Sequence, residues 1–273
     1  MTKERFLQLV KESFAALQDN TGHLPVEDVD LTILEEPLVG FAAADDPLFE
    51  EYRDPRAIGP DWRAPREWMP EAETAVAFFF PFTEEVRSRH REAVEDTDEA
   101  WNTCYGKNVP LVNAFLDDLC GRLEAEGIMT FQPHRDPSGT RTQIPVMAGD
   151  EEDVHFSTSW STRHICYAAG LGTFGIHRHI ITEKGCCGTL GTFIMDLKLE
   201  PTPRPYTEVY EYCTHCGACT GRCPANAITL EYYRNLRKCS AFAGSIRERF
   251  GSGMCGKCLV GIPCERQIPA KPE

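Results

Sequence analysis

Cysteine spacing constrains this chain more than any other feature. Eight of its thirteen cysteines lie between Cys213 and Cys264, and the first four read Cys213-x2-Cys216-x2-Cys219-x3-Cys223-Pro224. Thiols at these short intervals let one loop wrap three corners of an Fe4S4 cubane. Gly217 and Gly221 permit the turns, and Pro224 redirects the chain after the last thiol. Zinc sites rarely use three cysteines at successive x2 intervals followed by C-x3-C-P, so iron and sulfide are the expected occupants. Cys239, Cys255, Cys258 and Cys264 are looser in spacing but supply the four thiols of a second cubane. In a short secreted chain so many cysteines would suggest disulfides. Here the N-terminus, Met1-Thr2-Lys3-Glu4-Arg5, leads into an amphipathic helix rather than an apolar leader, which points to metal and to the cytoplasm.

In two-cluster ferredoxins the fourth cysteine of each run ligates the other cluster. By that rule Cys213, Cys216, Cys219 and Cys264 hold one 4Fe–4S cluster, and Cys223, Cys239, Cys255 and Cys258 hold the other. A segment of about 65 residues with few large apolar side chains needs such staples to fold at all. Of the remaining cysteines, Cys120 and Cys166 read as small core residues, Cys104 as a surface or loop thiol, and Cys186-Cys187 as a pair in a glycine-rich turn.

Charge is divided unevenly. The net charge is −14, yet the residues from Pro201 onward carry 10 Lys+Arg against 6 Asp+Glu, leaving −18 on the part before them. A body that acidic repels a phosphate backbone, which argues against nucleic acid as a partner. The positive tail suits clusters that are anions when held by four thiolates. No apolar run approaches the ~20 residues that span a bilayer, so no membrane partner is expected.

The order of elements is mixed α and β, an α+β body ahead of a ferredoxin-like module. Phe6, Leu7, Val10, Phe14 and Leu17 recur at helical spacing over 3–18. Leu31–Leu34 and Leu38–Phe41 are short strand candidates, Thr74–Phe80 is a buried strand, and the charged stretch 83–107 reads as a partly helical excursion. Asn108, Pro110 and the stripe Val112, Phe115, Leu116, Leu119, Leu123 predict a helix that Gly127 ends. An extended run over 128–132 and a helix over 158–169 follow. Alternation over 189–199 predicts a strand with one buried face. Pro201, Pro203 and Pro205 mark a linker, dividing 1–200 from 201–273.

Gly170-Leu171-Gly172-Thr173-Phe174-Gly175 fits G-x-G-x-x-G, but it follows a helix and runs into an extended segment, the reverse of a dinucleotide fingerprint. NAD is therefore not expected. Two readings stay open: close approach of the backbone to something flat, or a tight helix-to-strand turn.

Tyr167-Ala-Ala-Gly-Leu-Gly-Thr-Phe-Gly-Ile-His177, followed by a strand and the cysteine motif, resembles the core of epoxyqueuosine reductases and the related corrinoid reductive dehalogenases, which carry an A-G-L-G-W-x-G-K-like loop here. Trp68-Met-Pro-Glu-Ala-Glu-Thr-Ala-Val ahead of a strand extends the resemblance. It implies a nitroreductase-like α/β body that holds a cobalamin, base-off, above the nearer cluster and passes it electrons to reduce a small-molecule substrate. On that basis Ser157, Ser159, Trp160, Arg163, Gly170, Leu171, Gly172, Thr173, Phe174, Gly175 and His177 are candidates to contact the corrinoid. His155, His164 and Tyr105 are the catalytic candidates, a histidine of ordinary pKa being a natural proton donor near neutrality; His134 and His179 adjoin them.

The chain departs from that pattern in places. Counting back without gaps puts Phe156 where those reductases carry a catalytic aspartate, with Asp153 three residues away. Their lysine after the loop is replaced around His177 and Arg178, and the second cysteine group ends in C-x5-C without a proline. Together with the acidic body these departures argue against tRNA as the substrate. Three arrangements remain open: a corrinoid-dependent reductase fed by a low-potential ferredoxin or flavodoxin, an activator that reduces the corrinoid of a partner protein, and an iron–sulfur flavoprotein holding FMN.

Protein purified without oxygen should contain iron rather than zinc, and Cys223→Ala should lower both its iron content and its visible absorption, measured by metal analysis and spectrophotometry. Unchanged iron in that variant removes Cys223 from the ligand set.

Overall fold

The computed structural model describes residues 1–93, 97–251 and 254–271. The chain opens with α1 (Lys3–Ala15), whose first turn is closed by the Thr2 hydroxyl accepting the Arg5 amide at 3.2 Å. Its apolar face, Phe6, Leu9 and Val10, is buried. A small hairpin follows, β1 (Thr21–Leu24) with β2 (Val29–Thr32), and then β3 (Leu38–Ala43), two short helices, α2 (Leu48–Glu51) and α3 (Pro65–Trp68), and β4 (Thr74–Pro81).

Every residue of β4 is buried because it lies inside a four-stranded antiparallel sheet. After β4 come α4 (Glu84–Glu92), α5 (Glu99–Ala125), β5 (Thr130–Phe131), the hairpin β6 (Arg141–Ala148) and β7 (Glu151–Thr158), and α6 (Thr162–Ala168). The body closes with β8 (Gly172–Phe174), β9 (Ile180–Thr182) and β10 (Gly188–Met195). The sheet order is β3-β4-β10-β5, with Phe78 opposite Gly191 and Phe80 opposite Thr189.

Strand alternation sends side chains to two apolar layers. Val76, Phe78, Phe80 and Phe193 pack with Phe6 of α1 and Phe115 and Leu116 of α5; Phe78 and Phe115 meet edge to face at 5.2 Å. On the other side Ala75, Ala77, Phe79 and Ile194 pack with Trp62, Trp160 and Ile165. β10 is therefore covered on both faces, not on one as its alternation suggests. Thr192 is tolerated inside because Trp160 Nε1 donates to its hydroxyl at 2.9 Å.

Two helix expectations change. α5 begins at Glu99, not Asn108, with Asp98 accepting the Trp101 amide at its start. Trp101, Cys104, Asn108 and Leu111 continue the buried stripe backward at helical spacing, and that tertiary burial outweighs the helix-weakening Pro110. Cys104 is thus a buried core thiol rather than a surface one. α6 begins at Thr162 because residues 151–158 pair with β6 instead. Of the excursion expected over 83–107, residues 94–96 lie outside the described residues.

The C-terminal part holds α7 (Ala218–Gly221), β11 (Ile228–Thr229), β12 (Tyr233–Arg234) and α8 (Leu236–Phe250). Cys219, Ile228, Leu259, Val260 and Cys264 share one apolar cluster with Phe82, Trp101 and Ile181 of the body. Among the described residues no helix is long and apolar enough to cross a membrane.

His90 of α4 is fully buried, its ring stacked on Trp101 at 4.1 Å and its Nδ1 3.9 Å from Asp98 Oδ2. Burial, then the nearby Lys257 ammonium, push it down to about 3. The unfolded chain takes up a proton here below the ordinary value of about 6.5 while the folded chain does not. Stability is therefore lost as pH falls from there toward 3. His90→Leu should lose less stability than the wild type between pH 7 and pH 5, read from urea unfolding of anoxic protein.

Candidate metal and redox site

Two cavities in the C-terminal part are each lined by four cysteines. One is bounded by Cys213, Cys216, Cys219 and Cys264 together with Ile176, His177 and Ile181 of the body. The other is bounded by Cys223, Cys239, Cys255 and Cys258 together with Tyr105, His179 and Arg234. The chain crosses between them. Cys223 ends the first run yet faces the second cavity, and Cys264 ends the second group yet faces the first.

Local sequence explains how the short loops manage this. Gly217 at φ +74° and Gly256 at φ +65° adopt left-handed backbone just after Cys216 and just after Cys255, so each loop can turn its next cysteine inward. Burial pushes the Cys219 and Cys258 thiols up to about 12 and Cys255 up to about 11. A thiol in such a setting loses its proton only when a cation binds the sulfur and displaces it, so the donor set fits iron–sulfur clusters. Cys264 moves the other way, held below its ordinary value by hydrogen bonds first from Cys186 and then from His177.

The glycine stretch is the tight helix-to-strand turn. Gly170, at φ +77°, follows the end of α6 where an added Cβ would lie 2.8 Å from Pro203 O. A Cβ on Gly172 would lie 2.0 Å from Ile181 O, so β8 and β9 can pair only with glycine there. Thr173 accepts the Tyr212 amide at 2.9 Å, Leu171 is packed in the core, and Phe174 packs on His164 at 5.0 Å between ring centres. These glycines approach neighbouring backbone, not an open cradle.

The other candidates are spread around this turn. Ser157 accepts the Asp61 amide at 3.0 Å, Ser159 accepts the Thr140 amide at 2.8 Å, and the Trp160 indole stacks on Trp62 at 5.5 Å. All three are buried framework residues. His155 Nε2 sits 3.0 Å from Ile58 O and so carries a proton that it donates there. His164 Nδ1 lies 2.8 Å from the Ser161 hydroxyl; burial and then the Arg163 charge push it down to about 3, so it is neutral near pH 7 rather than the ordinary-pKa acid expected. His134 is on the exposed turn Pro133–Arg135, away from both cavities. Arg163 is held down to about 10 by burial and then by Arg234, with Tyr105 and Cys258 opposing the shift.

Asp153 is where the chain parts from expectation most clearly. It is buried on β7, and its Oδ1 accepts the Leu236 and Arg237 amides at 2.7 and 3.0 Å, satisfying the first turn of α8. Phe156 has Arg141 over its ring at 3.8 Å. Neither leaves a free carboxylate at this position. Arg234 and Cys186 were not singled out from the sequence; only the positive charge of the tail and the Cys186-Cys187 pair hinted at them.

Comparison with known proteins agrees with this geometry. A family model described as "4Fe-4S binding domain" matches residues 206–229, the segment with the first cysteine run. The epoxyqueuosine reductase of Yersinia pestis is 31% identical over 116 residues, 38% of this chain and 27% of that protein. That of Vibrio cholerae is 32% identical over 120 residues, 39% and 31% respectively. This chain is similar to epoxyqueuosine reductases. The matched stretch covers under a third of those epoxyqueuosine reductases. A selenomethionine-labelled epoxyqueuosine reductase structure superimposes at TM-score 0.55 and 18% identity, covering 96% of this chain and 66% of that one. The catabolic reductive dehalogenase NpRdhA superimposes at TM-score 0.55 and 14% identity, covering 85% of this chain and 30% of that one, a likeness of fold.

Asp153→Ala removes the acceptor for two amides at the start of α8 and should lower stability by about 1 kcal/mol, up to ~2. Asp153→Asn should retain most of it. Tm of the metal-loaded protein measures both.

Proposed function

We propose that this chain is an iron–sulfur oxidoreductase that passes electrons from a low-potential ferredoxin or flavodoxin through two 4Fe–4S clusters to a corrinoid that reduces a small molecule. The observation that carries the reading is the sorting of eight cysteines into two groups of four around adjacent cavities. The likeness to epoxyqueuosine reductases supports the choice of acceptor, as does the likeness of fold to a reductive dehalogenase that carries out B12-dependent dehalogenation. The charge of −18 before Pro201 supports a small molecule over tRNA.

When bound, these groups supply one-electron transfer and a reducible cobalt. The chain supplies the rest. Cys213, Cys216, Cys219 and Cys264 hold one cluster, and Cys223, Cys239, Cys255 and Cys258 the other. Burial raises the Tyr105 pKa, so the hydroxyl keeps its proton at neutral pH beside the second cavity. Arg163 and Arg141, near enough for the charge of one to act on the other, are the cations we assign to the phosphate tail of a corrinoid.

One observation favours a second reading, in which the chain reduces the corrinoid of a partner protein. The acidic residue closest to the expected catalytic aspartate, Asp153, is fully engaged with α8. Protein reconstituted with iron and sulfide without oxygen and offered cobalamin should give a base-off spectrum that dithionite converts to cobalt(I). Tight FMN binding without cobalamin uptake overturns the corrinoid reading in favour of a flavoprotein. Turnover of an added organic halide or epoxide, against reduction of an added corrinoid protein alone, separates the first two arrangements.

A further inference from the structure

His177 was expected to face a corrinoid, but its ring faces a cysteine. It is 1% exposed, and its Nε2 lies 3.6 Å from Cys264 Sγ. Its other nitrogen, Nδ1, receives the His179 amide at 3.1 Å. An imidazole nitrogen that accepts a hydrogen bond bears no proton, so the neutral ring carries its proton on Nε2 and aims it at the sulfur. We propose that His177 is the hydrogen-bond donor that sets the reduction potential of the cluster held through Cys264, and that Gly175 is glycine to make room for its ring. The proposal rests on the iron–sulfur reading above and adds a positioning residue to it.

Three further features hold the ring in place. A Cβ on Gly175 would lie 2.6 Å from both Cε1 and Nε2 of His177, so any side chain there displaces the imidazole. The turn is closed by the Gly175 amide on His179 O at 2.9 Å and by the Arg178 amide on Gly175 O at 2.7 Å. Arg234 donates to His177 O at 3.2 Å from the wall of the other cavity. The Cys186 thiol, 4.0 Å from the Cys264 sulfur, is a weaker donor than the imidazole N–H. An N–H directed at a ligating sulfur favours the more negative, reduced cluster, because the added charge spreads onto the thiolates. The couple takes one electron, supplied by dithionite in the test below, and the Nε2 proton stays on the ring.

The test is a dithionite titration of the reconstituted, full-length protein, followed by electron paramagnetic resonance. His177→Leu should make one cluster harder to reduce, by about tenfold in its reduction equilibrium or about 59 mV for a one-electron couple. The other cluster should be unchanged. His177→Gln, whose amide can still donate, should recover part of the shift. Gly175→Ala, which keeps the imidazole but displaces it, should shift the same cluster in the same direction, and it decides the matter if His177→Leu fails to fold. Wild-type midpoints for both clusters in His177→Leu, or in Gly175→Ala where it is the deciding variant, overturn the proposal while leaving the iron–sulfur reading intact. Wild-type protein that shows no cluster signal at all overturns that reading instead.

Discussion

The crossing of the chain between two sulfur-lined cavities is the constraint on which the rest depends. Cys223 and Cys264 each finish one run of cysteines and face the cavity lined by the other. The segments before and after α8 must therefore close on each other. What surrounds the cavities is drawn from the body: Ile176, His177 and Ile181 on one side, Tyr105 and His179 on the other. The apolar cluster that contains Cys219, Leu259 and Val260 also contains Phe82 and Trp101, so sheet, long helix and metal-binding segment share one interior.

Much of this was legible in the residues. Spacing singles out the eight cysteines, the crossing rule of two-cluster ferredoxins divides them into two groups of four, and the two cavity linings hold the same groups. The buried strand Thr74–Pro81 was legible because an unbroken apolar run ending in proline has few other uses. What escaped was decided by contacts between distant segments. Residues 141–158 carry little alternation, yet they pair along their whole length as a hairpin because α8 packs against β7 and Asp153 ties its first turn. The start of α5 was hidden by Pro110, whose local cost is outweighed by burial of Trp101 and Cys104. The glycine stretch was read as a turn or a ligand cradle with equal weight, since a missing Cβ reports close approach but not what approaches. Here it is Ile181 O, Pro203 O and an imidazole.

The histidines illustrate the same limit. An ordinary histidine pKa makes His155 and His164 candidate acids, but burial removes His164 from that role and His155 is engaged with a carbonyl. His177 is tied into the metal-binding segment by its neighbours. Chemical identity was available from the sequence; protonation and aim were not.

The tip of the β6–β7 hairpin carries Glu151, Glu152 and Asp153, and all three engage the start of α8, Glu151 with Lys238 at 2.6 Å and Glu152 with Arg237. Arg237 and Lys238 immediately precede Cys239, a wall of the second cavity. The lopsided distribution of charge along the chain thus does more than keep it dispersed in water: it works as a clasp. Because Glu151 and Glu152 are exposed, their share of that grip weakens in concentrated electrolyte, whereas the enclosed Asp153 keeps its hold. Brine would loosen the lip of the second cavity before it disturbed the sheet.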